Sequence, residues 1–170
     1  MRDFAKALAG GDRRSIGRAD AAVAAVTREP QCFGALWDCL KHPDPLVRMR
    51  AADALEKISR TEPSLFAAHK KELLGGALDD GTVEVRWNLI AIAPRLRLTA
   101  PEAKKFCAYL DKLLHTDPSR IVKVTALQAA FDLSRCHSAV CDAFHRMLDY
   151  ARASSWPSLR VRARKLSDVS

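Results

Sequence analysis

Four residues near the end of the chain carry metal-ligating chemistry: Cys136, His137, Cys141 and His145. Thiolates and imidazoles are the ligands of tetrahedral zinc. Cys141 and His145, four apart, would stand on one face of a helix and could share an ion. Cys136 and His137, however, sit in a turn with no matching second pair, and Cys141 lies beside the apolar stripe of Val140 and Phe144. A packed cysteine and a surface histidine explain the cluster, so no metal ligand is expected. Other reactive arrangements are missing from the sequence. There is no Ser/His/Asp or Cys/His order, no HExxH and no Gly-rich phosphate loop. Gly75-Gly76 lacks the Lys-Ser/Thr that would follow in such a loop. The residues therefore imply no catalytic set and no cofactor.

The elements that must position these side chains repeat. The clearest copy runs from Asp44-Pro45-Leu46-Val47-Arg48 to Ile58-Ser59, and weaker copies begin near Asp12, Gly81, Pro118 and Pro157. With Val47, Val85, Val122 and Leu159 as equivalents, the spacings are 38, 37 and 37 residues. A fixed period in this range signals stacked helix pairs. The outer, A helices are expected at 2–9, 31–41, 64–78, 101–115 and 138–153. The inner, B helices are expected at 13–27, 45–60, 82–97, 119–134 and 158–168. Val47, Ala51, Ala54, Leu55 and Ile58 form one apolar face, as do Val85, Leu89, Ile92 and Leu96, and Val122, Ala126, Ala129, Ala130 and Leu133. Phe106, Tyr109, Leu110, Leu113 and Leu114 give an A helix the same stripe. One pair cannot bury both stripes alone, so neighbours must stack. Pro45, Pro101, Pro118 and Pro157 suit first turns of helices. Thr99 and Asp117 suit caps. Pro94 should kink or end the third B helix, and Gly75-Gly76 loosen the third A helix. No linker separates the repeats, so residues 1–170 read as a single domain.

The stretch His42-Pro43-Asp44-Pro45-Leu46-Val47-Arg48-Met49-Arg50-Ala51-Ala52-Asp53-Ala54-Leu55 resembles a HEAT repeat, particularly the bacterial HEAT-like variety. The likeness is specific over Asp44–Ile58 and extends by repetition over nearly the whole chain. It implies an all-α, right-handed solenoid of about five antiparallel helix pairs, with the B helices on the concave side. It implies no activity; most members bind proteins, a few bind nucleic acid and rare branches are enzymes. The A helices lack the internal proline of the common pattern and should be straighter. The family also implies a ladder in which Arg48, Arg86, Lys123 and Arg160 pair with Asp44, Asp80 and Asp117 at the repeat turns. One branch comprises alkylated-base DNA glycosylases, which engage DNA with aromatics and a carboxylate. Here Trp37 and Asp38 fall on an A helix, and Ala91, not an aspartate, stands one turn after Trp87. That reading stays remote, and bilin lyases share only the fold.

Composition directs the functional reading. The 170 residues hold 28 basic and 20 acidic side chains, a formal net charge of +8. The B helices with their flanking turns contain 18 of the cations against 9 acids, and the remainder 10 against 11, so all the excess lies in one layer. Such a field attracts anionic partners. Arg50, Arg95, Arg97, Arg162 and Arg164 are the cations the ladder leaves unexplained, and they are the expected partner-binding residues. The expected partner is a protein with an acidic surface, with nucleic acid as the alternative. No apolar run approaches the roughly 20 residues that cross a bilayer. The charged N-terminus does not suit a secretory signal. Five cysteines without a CxxC pair read as small buried hydrophobes of a cytoplasmic protein.

The register makes a direct prediction. Leu55 should be buried between the second A and B helices and against the next repeat. Leu55→Ala should lose about 2–5 kcal/mol in chemical denaturation; a change below about 0.5 kcal/mol, the scale of a surface substitution, would mean the register is wrong.

Overall fold

A computed structural model describes residues 3–11, 17–75 and 82–168. Among the described residues it is all-α, with ten α-helices and no strand. Contacts divide the chain into two compact units, Met1–Leu96 and Arg97–Ser170.

The first unit holds α1 (Phe4–Leu8), α2 (Gly17–Arg28), α3 (Phe33–Asp38), α4 (Pro45–Ser59), α5 (Lys70–Gly75) and α6 (Val83–Ile92). The B helices α2, α4 and α6 pack side by side, and α1 and α3 pack on them and on each other. The second unit holds α7 (Ala100–Thr116), α8 (Arg120–Cys136), α9 (Cys141–Ala153) and α10 (Pro157–Ser167). Here the A helices α7 and α9 touch, as do the B helices α8 and α10. The anchors Val47, Val85, Val122 and Leu159 are all buried, as is Leu55, so the repeat register is the observed one.

Local chemistry explains the helix starts. Asp44 accepts a hydrogen bond from Leu46 N at 2.8 Å, and Pro45 opens α4. Thr99 and Glu102 form a reciprocal capping box around Pro101. Pro118 lies one residue earlier than expected relative to its helix. Ser119 is the N-cap of α8, and Asp117 accepts from Ser119 N at 2.8 Å. Pro94 acts as expected: α6 ends at Ile92 and a 3₁₀ turn, Ala93–Arg95, follows.

Two A segments are not the straight helices expected. The second is a 3₁₀ turn Pro30–Cys32, then α3, then a second turn Cys39–Lys41. The third begins as a 3₁₀ stretch, Pro63–His69, before α5. Each opens at a proline that fixes φ for a first turn. These segments share a cluster of Phe33, Trp37, Phe66 and His69, with Phe33–Phe66 ring centres 4.8 Å apart and Trp37–His69 4.7 Å apart. The segments coincide with this cluster, but residue propensity alone gives no account of a seven-residue 3₁₀ stretch. Trp37 Nε1 donates to Glu72 Oε2 at 2.9 Å, and Lys41 lies 2.7 Å from the other carboxylate oxygen. The bonds from Lys41 and then Trp37 hold the Glu72 carboxyl below its ordinary range.

The recurring basic residues do a specific job. An α-helix ends with carbonyls that lack intrahelical donors and carry partial negative charge. Arg48 Nη1 donates to His42 O at 2.8 Å and Pro43 O at 2.9 Å. Lys123 Nζ donates to Leu114 O at 2.6 Å and His115 O at 2.9 Å. Arg160 Nη1 donates to Ser154 O at 2.8 Å. In the first pair Arg18 reaches the carbonyls of Ala7 and Ala9. Arg48, Lys123 and Arg160 thus each donate to backbone carbonyls at the end of the preceding helix. Asp44 and Asp117 serve backbone N–H groups, and Asp80 lies outside the described residues.

Lys123→Ala should therefore strand the buried Leu114 carbonyl and the half-buried His115 carbonyl and cost about 1–3 kcal/mol in urea denaturation, whereas Arg164→Ala, on the exposed side of α10, should change little. Equal small losses would show that the carbonyls find other donors.

Candidate interaction surface

The cations expected to bind a partner separate into two groups. Arg50 is 2 % exposed on α4, and its Nη1 donates to Leu8 O at 2.6 Å and Gly10 O at 2.7 Å. Its guanidinium is a second closure for the end of α1. Gly10 and Gly11 follow with positive φ, a left-handed turn that glycine adopts without steric cost. Arg50 is therefore corrected from a binding residue to a structural one, because its polar atoms face the fold.

Arg95 is also tied inward. Its Nη1 donates to Ser59 Oγ at 2.7 Å, and its Nη2 lies 2.8 Å from Glu56 Oε1. Glu56 is only 5 % exposed, and Arg60 holds its other oxygen at 2.7 Å. A buried carboxylate is costly without such partners. Arg95 thus joins the turn after α6 to the end of α4. Nearby, Lys57 bridges Asp20 of α2 and Asp53 of its own helix, at 2.7 and 2.9 Å. Much of the positive charge read from the first unit is engaged within that unit.

The second unit differs. Arg97 and Arg164 are exposed, and Arg162 is half-buried with Nη1 donating to Gln128 Oε1 at 2.9 Å. That bond links α10 to α8 through a neutral acceptor. Helix α10 carries Arg160, Arg162, Arg164 and Lys165 and no acidic residue. Lys165 is exposed beside Arg164. Leu159, Ala163 and Leu166 form its buried face, so the basic side chains fall on the remaining surface. Arg86, the remaining ladder position, is half-buried on α6.

The cysteines are corrected in part: Cys39 and Cys107 are buried as expected, whereas Cys32 and Cys141 are half-buried and Cys136 is exposed. Among the described residues no group of three or more His, Cys, Asp or Glu could hold a metal. Cys141 Sγ faces Ser134 O at 3.5 Å, and Cys136 is exposed. Burial, then Asp38, raises the Cys39 thiol above its ordinary range; burial, then Asp111, does the same for Cys107. A raised thiol pKa leaves little nucleophilic thiolate. Trp37 is 1 % exposed and belongs to the core, so it presents no open face to a base.

The stacked A and B layers, the buried anchors and the helix-end cations together describe one repeating unit. A family model described as HEAT repeat domain matches residues 5–168. The chain belongs to the HEAT-repeat family. Comparison with curated proteins and with solved structures finds no significant match. Among the described residues of this HEAT-repeat protein, no helix is long and apolar enough to cross a membrane.

Trp156 escaped the sequence reading. It is the N-cap of α10, half-buried, with the Arg120 guanidinium 5.8 Å and the Lys123 ammonium 5.6 Å from its ring centre. Its signal was its place directly before Pro157, opposite the basic start of the preceding B helix.

The engagement of Arg95 predicts coupling. A double-mutant cycle with Arg95→Ala and Glu56→Gln should give an interaction energy above about 0.5 kcal/mol. Additive losses would mean that Glu56 is held by Arg60 alone.

Proposed function

We propose that this HEAT-repeat protein is a non-catalytic cytoplasmic scaffold that binds an acidic protein partner through the basic B-helix surface of its second unit. The observation that carries the reading is α10: four cations and no acid around a buried face of Leu159, Ala163 and Leu166. In the first unit, by contrast, Arg50, Arg95 and Lys57 are engaged by carbonyls or carboxylates. Preformed helices present side chains with little ordering cost on association, which suits recognition. A cluster of one sign also speeds encounter with an acidic surface.

The partner-binding set is Arg97, Arg162 and Arg164. Their simultaneous reversal to Glu should abolish capture of partners from lysate while leaving helicity intact. The matched reversal of Lys70, Lys71 and Lys104 on A helices changes the net charge equally and should leave capture in place. Equal loss from both would point to long-range attraction and overturn the surface assignment. Nuclease treatment and salt titration separate partner classes. A slope of about −0.9 in log affinity per duplex phosphate, removed by nuclease, would replace the protein partner with nucleic acid.

A further inference from the structure

A concavity of about 270 Å³ opens where α9 turns into α10, wholly inside the second unit. Tyr150, Trp156, Leu159, Ser155 and the Lys123 side chain line it. Cofactor and small-molecule sites run to roughly 300–1,000 Å³, so this space suits one inserted side chain. Two of its walls are aromatic. Tyr150 is 38 % exposed and packs on His115 at 4.0 Å between ring centres, and Trp156 is half-buried. Partly exposed aromatics beside arginine are the residue types that concentrate binding energy at protein interfaces.

The electrostatics add a second constraint. Arg120 and Lys123 both lie over the Trp156 ring, and no acidic side chain lines the space. Lys123 is 8 % exposed and pinned by two carbonyls, so its charge is in place before any ligand arrives. Arg120 is exposed and available to a ligand carboxylate. Tracking a nucleic-acid backbone takes a groove lined by several cations. Here Lys123 and Arg160 are committed to backbone carbonyls.

We propose that this pocket anchors an acidic, apolar-containing peptide segment of a protein partner. An apolar side chain enters between Tyr150 and Trp156, and a neighbouring carboxylate meets Arg120 in the field of Lys123. Arg162 stands one turn beyond Leu159, which places a cation next to the pocket wall on α10. The inference rests on the acidic-partner reading above and assigns it a point of attachment.

The test uses the full chain and a short labelled peptide of alternating Glu and Leu, with a Lys and Leu peptide as control. The readouts are fluorescence polarisation and the Trp156 indole N–H resonance, identified by its loss in Trp156→Phe. The acidic peptide should shift the Trp156 resonance and leave that of buried Trp37 unmoved. Ser155→Trp, which fills the pocket from an exposed position, and Arg120→Gln should each weaken binding about tenfold. Circular dichroism checks the fold, and Arg120→Gln carries the test if Ser155→Trp does not fold. Undiminished binding by a folded Ser155→Trp or by Arg120→Gln overturns the proposal. So does the lack of any Trp156 shift, or equal binding of the two peptides. A single-stranded oligonucleotide shifting Trp156 more than the acidic peptide does would reassign the pocket to nucleic acid. If the two pocket variants lose binding while the Arg97, Arg162 and Arg164 reversal keeps it, the wider surface reading fails and the pocket stands. The opposite pattern overturns the pocket alone.

Discussion

A long basic side chain reaching back to the last carbonyls of the preceding helix is the contact on which the helix pairs depend. An A helix ends with carbonyls that have no intrahelical donor, and the B helix that returns along it brings a cation within reach of them. Arg18, Arg48, Lys123 and Arg160 supply the missing donors in four of the pairs. Three of them directly follow a buried anchor, Val47, Val122 or Leu159, whose insertion into the core aims the next residue at the turn. Packing and polar satisfaction thus converge on adjacent residues. A cation is well suited here, since it meets the negative end of the helix as well as individual lone pairs.

This dependence explains what could be read in the sequence. The register was legible because Val47, Val85, Val122 and Leu159 recur at a nearly constant spacing, and a repeated hydrophobic anchor has one economical explanation. The capping of α7 by Thr99 was legible because it is local. The partners of the recurring cations were not, because a carbonyl is present at every position and leaves no mark in the residue pattern. The same blindness affected Arg50. It reads as one more cation on a basic B helix, but its acceptors are the carbonyls of Leu8 and Gly10, about 40 residues earlier. Arg95 was obscured differently: Glu56 lies on another repeat, and burial of that carboxylate follows from tertiary packing. The aromatic cluster around Phe66 likewise joins separate segments, so the 3₁₀ geometry of Pro63–His69 had no local signature. The division after Leu96 falls within an unbroken repeat pattern and coincides with no change of composition.

The candidate surface emerges by subtraction. A count of charges along the B layer treats all cations as equal, whereas the structure separates those buried or paired with carboxylates, such as Arg50 and Arg95, from those on α10, whose identified acceptors are neutral. Arg162 illustrates the distinction: its bond to Gln128 orients the guanidinium without cancelling its charge. Trp156 shows the reverse case. Its chemistry depends on Arg120 and Lys123 from the preceding B helix, and only folding brings the three together.

The helix-end cations have a consequence for the length of such arrays. Where the acceptors are neutral carbonyls, as for Lys123 and Arg160, each cation adds a positive charge that the contact itself does not balance. An array lengthened by copying the same unit would grow more basic with every copy, whatever it bound. Self-repulsion would then rise with length, opposing end-to-end growth into filaments even though stacked repeats offer complementary ends. A high isoelectric point in such a chain is partly a by-product of how its turns are closed, and the mechanism that finishes each helix also helps to keep the array finite.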